Sequence, residues 1–198
     1  MAGISSILIA AGESTRMGSV KPLLHWRGVT LVEYQINCIL DGGASEVVVV
    51  VGHQAKTVIP YIKGRFVKHV VNPDYRLGKT SSIKAGLKHV ATDADGILLL
   101  AVDQPRTSKI ISTAIQTHLK NNNLITSPSY RGHSGHPLIF AASLKEELQG
   151  ITEEKLGIRE VVRMHHSEIF KLAIDDPILL LDLNTPQAYE EARQKFGA

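Results

Sequence analysis

The chain has one cysteine, Cys38, so no intrachain disulfide can form, which fits a reducing cytoplasm. It lacks long apolar runs. The longest, Ile97–Val102 and Val47–Val51, fall far short of the roughly 20 residues of a membrane-spanning helix. It also lacks charge of one dominant sign. A net charge of +3 tolerates an anionic small ligand but carries no dense Lys/Arg stripe, which argues against a nucleic-acid binder. No basic segment precedes an apolar run at the start, so no secretory signal is expected. The final Phe196-Gly197-Ala198 is no prenylation motif. Repeats, low-complexity stretches and a Pro/Gly/Ser-rich linker are absent too, so one domain is expected over residues 1–198. With 43% apolar and 21% charged residues, composition excludes disorder, collagen and a disulfide scaffold. A chain of this length buries roughly 70% of its unfolded surface and needs no structural metal.

What is present is an alternation. Short β-branched runs predict strands at Ile4–Ala10, Glu46–Val51, Phe66–Val71, Gly96–Val102, Leu124–Pro128, Leu138–Ala141, Glu168–Ile174 and Ile178–Leu181. Several are continuously apolar, as strands covered on both faces are. Between them, helical spacing predicts helices at Leu31–Leu40, Ser81–Val90, Ile110–Leu119, Ile158–Met164 and Pro186–Phe196. The alternation predicts an α/β fold: a doubly wound, mostly parallel sheet with helices on both faces. Ligands of such sheets bind beyond the carboxyl ends of the strands, which points to the loops after Ala10, Val71, Val102 and Leu181.

The first loop reads Ala10-Ala11-Gly12-Glu13-Ser14-Thr15-Arg16-Met17-Gly18, followed by Lys21-Pro22-Leu23-Leu24. Small residues let backbone amides approach an anion, and Arg16 and Lys21 add positive charge. Neither the Walker spacing nor the dinucleotide G-x-G-x-x-G is present. Taken alone, the segment reads equally as a glycine-bearing turn with two solvated cations.

Five ordered segments change that balance. Leu8–Leu24 reads L-I-A-A-G-x-S-x-R-M-G-x-x-K-x-L-L. Asn72-Pro73 precedes Gly78, Ser81-Ser82-Ile83 and Gly86-Leu87. Asp103-Gln104-Pro105 follows an apolar run. Gly132 precedes Gly135-His136-Pro137-Leu138, and Asp182-Leu183-Asn184-Thr185-Pro186-Gln187 precedes the last helix. Together they resemble molybdenum cofactor cytidylyltransferase and related cofactor nucleotidyltransferases, over nearly the whole chain. Two departures stand out. Glu154–Arg159 keeps Gly157 and Arg159 of the family's G-D-x-G-A-R but not its Asp, and Arg106-Thr107 stands where an apolar pair is expected.

The resemblance implies a nucleotide-diphospho-sugar transferase-like, Rossmann-type fold. It also implies attack by a terminal phosphate oxygen on the α-phosphorus of a nucleoside triphosphate, with pyrophosphate leaving. A phosphate nucleophile is already anionic, so charge neutralisation and in-line positioning matter more than a general base. By that reading Lys21, Arg16 and Asp103 are catalytic. Ala10, Ala11, Gly12, Ser14, Arg16, Lys21, Asn72 and Ser82 bind the nucleotide. Asp103 and Asp182 hold Mg²⁺, a cation that prefers oxygen ligands, with Asn184 the rival second ligand. Ala-Ala-Gly is associated with cytidine-using members, which favours CTP. His136, in the polar loop Ser129–Pro137, is a candidate acceptor contact or lid. A phosphorylated pterin cofactor is the implied acceptor, with transient contact to a molybdoenzyme or its maturation chaperone.

Each assignment has a plainer competitor. Lys21 reads also as an exposed loop lysine, Asp103 as a cap for the helix near Ser108, Asn184 as a cap beside Thr185, and His136 as a structural histidine. Cys38, among Ile36, Ile39 and Leu40, reads as core. The adjacent pair His165-His166 does not share a helix face, and no zinc site is expected. Alternative functions are a GTP-using or other small-phosphate nucleotidyltransferase, and a non-catalytic module that binds a nucleotide or the pterin.

Overall fold

The computed structural model describes residues 3–197; Met1, Ala2 and Ala198, the ends of the expected 1–198 domain, lie outside the described residues. Strands are β1 Ile4–Ala10, β2 His25–Trp26, β3 Val29–Thr30, β4 Glu46–Val51, β5 Val67–Val71, β6 Gly96–Ala101, β7 Ile125–Tyr130, β8 His133–Ser134, β9 Leu138–Ala141 and β10 Ile169–Ala173. Helices are α1 Leu31–Asp41, α2 Ala55–Val58, α3 Lys79–Leu87, α4 Ser108–Asn121, α5 Lys145–Gly150, α6 Ile158–Met164 and α7 Pro186–Phe196.

The main sheet runs β10-β7-β9-β6-β1-β4-β5, with β8 added as a hairpin on β7. β1, β4, β5 and β6 are parallel, as are β7 and β10. β9 is antiparallel to both β6 and β7. Every residue of β1, β4 and β6 is buried, because helices cover both faces. Ile4, Leu8 and Ala10 of β1 face a core filled by α1 and α4 and reached by Ala192 of α7. Ile7 and Ile9 face the opposite core, filled by α3, α5 and α6. Fully burying each such side chain contributes about 1.5–3 kcal/mol, so the alternation along β1 serves two layers at once.

From β1 the chain winds to β4 and β5 on one side, then returns through α3 to β6 on the other. The order reverses between β1 and β6, and a crevice opens beyond their carboxyl ends.

One predicted strand is corrected. Ile178–Leu181 is not extended: Pro177–Leu180 forms a 3-10 turn, entered through Asp176, whose side chain accepts from Ile178 N at 3.0 Å. Asp182 therefore does not end a strand.

Candidate active site

The crevice holds a cavity of about 320 Å³ walled by Ala10, Ala11, Gly12, Ser14 and Lys21 of the first loop, Tyr75, Gly78, Lys79 and Ser82 around the start of α3, and Asp103 beyond β6. The first loop keeps its path through local bonds. Ser14 has φ 55°, Met17 N donates to Ser14 O at 2.9 Å, and Lys21 N donates to Ser14 Oγ at 3.4 Å. Ala11 O is fixed from the neighbouring strand end by His53 N at 3.0 Å.

Lys21 crosses the cavity floor. Its Nζ donates to Asp103 Oδ2 and to Asn184 Oδ1, each at 2.8 Å, and its side chain is 11% exposed. It is therefore not a solvated loop lysine. The plainer roles of its partners are filled by neighbours. Thr107, not Asp103, caps α4 by accepting from Ile110 N, and Thr185, not Asn184, caps α7 by accepting from Ala188 N. Asp182 is joined to the turn that carries Asp103 through the next residue, Leu183, whose N donates to Asp103 O at 2.8 Å. Its carboxyl is pushed up by burial and by the Asp103 charge, against the lowering effect of Lys21, a bond from Asn184, and Lys79.

Arg106 is 1% exposed. Its Nε donates to His136 O at 2.8 Å, Nη1 to Pro105 O at 2.9 Å and Leu181 O at 3.1 Å, and Nη2 to Leu179 O at 2.7 Å. Burial lowers its pKa to about 10, which leaves it charged at neutral pH. Sequence reasoning registered Arg106 only as a departure. The signal was there: an arginine in an apolar position, next to a turn of Asp-Gln-Pro.

The remaining sequence-predicted residues divide. Asn72 is 3% exposed and lies behind the wall, where its Nδ2 donates to Ser81 Oγ at 2.9 Å and Ser82 Oγ at 3.0 Å. It orients Ser82 rather than facing the cavity. Arg16 is exposed on the short turn Thr15–Met17 and is not among the cavity-wall residues. His136 lines a small adjoining recess with Lys79 and Leu138. Burial, with the charges of Lys79 and Arg106, lowers its pKa to about 4, so it is neutral at pH 7. Tyr75 and Lys79 are wall residues that sequence reasoning passed over, although Tyr75 lies three residues beyond the flagged Asn72.

Residues 6–169 match the family described as the MobA-like NTP transferase domain. The chain belongs to this family. It is 27% identical over 198 residues to the molybdenum cofactor cytidylyltransferase of Escherichia coli, covering 99% of this chain and 98% of that one. It is 32% identical over 169 residues to the nicotine blue oxidoreductase of Paenarthrobacter nicotinovorans, covering 81% of each. Among solved structures, a nucleotidyl transferase from Methanothermobacter thermautotroptrophicus superposes with TM-score 0.83 at 24% identity, covering 98% of this chain and 97% of that one. A manganese complex of Rv0371C from Mycobacterium tuberculosis gives 0.76 at 23%, covering 96% and 97%. These two likenesses establish the fold, that of the nucleotide-diphospho-sugar transferases.

As a member of the MobA-like family this is a nucleotidyltransferase-type chain, and its site chemistry can be weighed for a cation. Among the described residues no three His, Cys, Asp or Glu side chains cluster for a metal. The Asp103 charge nonetheless acts on the Asp182 carboxyl, and Asn184 Oδ1 accepts from the same Lys21 ammonium as Asp103. One or two carboxylates completed by substrate phosphates is the usual donor set for Mg²⁺, so the residues fit such an ion. Among the described residues no helix is long and apolar enough to cross a membrane.

Proposed function

We propose that this MobA-like protein transfers CMP from CTP to the terminal phosphate of a phosphorylated pterin, the molybdenum cofactor, and releases pyrophosphate. The observation that carries the reading is Lys21, bound at 2.8 Å to both Asp103 and Asn184 on the floor of a cavity opening at the switch point.

The triphosphate lies along the Ala10–Ser14 backbone. Lys21 turns its charge from the carboxylate to the α- and β-phosphates, where negative charge grows as the bond to the leaving pyrophosphate breaks. Arg16 closes on the triphosphate from the loop outside the wall. Asp103 and Asp182 would hold Mg²⁺, which would supply charge neutralisation at the phosphates. Ser82, oriented by Asn72, and the small Ala11 and Gly12 bound the nucleoside and leave it a pyrimidine-sized place. The acceptor phosphate enters beside Lys79, past the neutral His136. No side chain has to remove a proton, because the nucleophile arrives ionised. The product then passes to a molybdoenzyme or its maturation chaperone.

Pyrophosphate release with the pterin and Mg²⁺, measured in parallel for CTP and GTP, tests this. The expected result is a higher kcat/KM with CTP. Steric selection of this kind is worth about 1–3 kcal/mol, or tenfold to two-hundredfold. Equal or reversed rates remove the cytidine preference and leave a GTP-using transferase. Because one relative carries the name of an oxidoreductase, the same samples are assayed for oxidation of a reduced nicotinamide cofactor by an added quinone dye, which takes up the two electrons. Turnover there without pyrophosphate release overturns the transferase reading.

A further inference from the structure

A guanidinium is costly to bury unless its donors are satisfied. Arg106 forms no ion pair among those found for the described residues. It spends its donors instead on four main-chain carbonyls. One belongs to its own turn. The others, His136 O, Leu179 O and Leu181 O, belong to two segments far away in sequence. On the far flank of Asp182, Leu183 N donates to Asp103 O at 2.8 Å. Residues 181 and 183 are thus each tied to the turn that carries Asp103, one through the guanidinium and one directly, with Asp182 between them. Gly135 closes the arrangement from the side. A Cβ there would lie 2.7 Å from both Leu179 Cγ and Leu179 O, so glycine is what lets the His136 loop press Leu179 towards the guanidinium.

We propose that Arg106 is the positioning residue for the metal-side carboxylates: through the carbonyls of Leu179 and Leu181 it presents Asp182 beside Asp103. The inference rests on the assignment of those two carboxylates to Mg²⁺ given above. It also explains how a segment with no regular structure delivers a carboxylate to the end of β6. A lysine at position 106 keeps the charge, but one ammonium cannot span carbonyls that a planar fork reaches together.

The test separates cation binding from nucleotide binding. Mn²⁺ is titrated into the wild type, Asp182→Asn, Arg106→Lys and Gly135→Ala, without nucleotide and again with saturating CTP, and free Mn²⁺ is read by its paramagnetic resonance signal. CTP affinity without metal and the melting temperature are measured on the same samples. The expected pattern is that the wild type takes up Mn²⁺ and Asp182→Asn does not. Arg106→Lys and Gly135→Ala should hold Mn²⁺ about tenfold or more weakly, in line with losses on removing an outer-shell partner, with CTP affinity unchanged. Gly135→Ala leaves the guanidinium intact and displaces Leu179 from the other side, so it carries the test if Arg106→Lys folds poorly. Folded variants with wild-type Mn²⁺ affinity overturn the proposal, as does a parallel loss of Mn²⁺ and CTP, which marks a general structural role. If the wild type takes up no Mn²⁺ even with CTP added, beyond what CTP alone binds, or Asp182→Asn loses none, the metal assignment itself fails.

Discussion

An ammonium bonded at 2.8 Å to a carboxylate and an amide oxygen must exchange those partners for phosphate oxygens to act in the proposed transfer. Lys21→Ala should therefore lower kcat about 10²-fold or more, the scale of losing one preorganised charge donor. The fold should stay intact, because both side-chain partners of the lysine, Asp103 and Asn184, belong to the site rather than to the core. Initial rates alongside a melting curve decide it, and a near-normal kcat sinks the role. Lys21 and Asp103 were legible because the loop spacing and the strand end mark them in the chain itself. Arg106 was legible only as a departure beside the Asp-Gln-Pro turn, and its burial to 1% exposed was not. Asn72 was expected to face the nucleotide, and its place behind Ser82 was not legible. Its burial behind Ser82 depends on how α3 is set against β5.

Most strands and helices were legible to within two or three residues, because two-sided burial leaves unbroken apolar runs. The direction of β9 was not, since Leu138–Ala141 pairs antiparallel with β6 and its four residues encode no sense of travel. Ile178–Leu181 misled through composition: four apolar residues suit a buried strand, yet Asp176 and Pro177 supply the cap and first position of a helical turn. At the amino end of the sheet Glu46 binds β4 to its neighbours. Its carboxylate accepts from Ser5 Oγ of β1 at 2.8 Å and Ala91 N at 2.6 Å, and pairs with Lys68 of β5 at 2.7 Å. Burial pushes its pKa up, but the bonds from Lys68, Ser5 and Ala91 prevail and hold it below its ordinary value. A carboxyl depressed in the folded state stabilises above its unfolded pKa, and that stability is lost as pH falls through the folded value. Glu46→Gln should thus cost about 1–3 kcal/mol at neutral pH. The deficit should vanish at acid pH below the ordinary glutamate range. Urea denaturation of both proteins across pH checks this, and a pH-independent difference would contradict it.

Across the whole molecule, acid acts also through two histidines, His118, which is buried, and His136, which is half-buried. His118, bonded to Thr126 Oγ1 at 2.9 Å, has its pKa lowered by burial from 6.5 to about 4, and His136 falls to about 4 as well. Between those values the unfolded chain binds protons that the folded chain refuses, so stability should decline as pH drops from 6.5 to about 4. Calorimetry over that range should show the decline, and His118→Gln should flatten part of it; an unchanged slope would assign the loss elsewhere. The Arg106 junction has a consequence of another kind. Every oxygen it grips belongs to the main chain, which all amino acids supply. The side chain at 136 can therefore change in a library without removing the carbonyl that Arg106 grips, whereas Leu179, 0% exposed, is held by its packing as well. The recess beside His136 becomes ground on which new acceptors can be tried while the nucleotide half of the site is inherited whole.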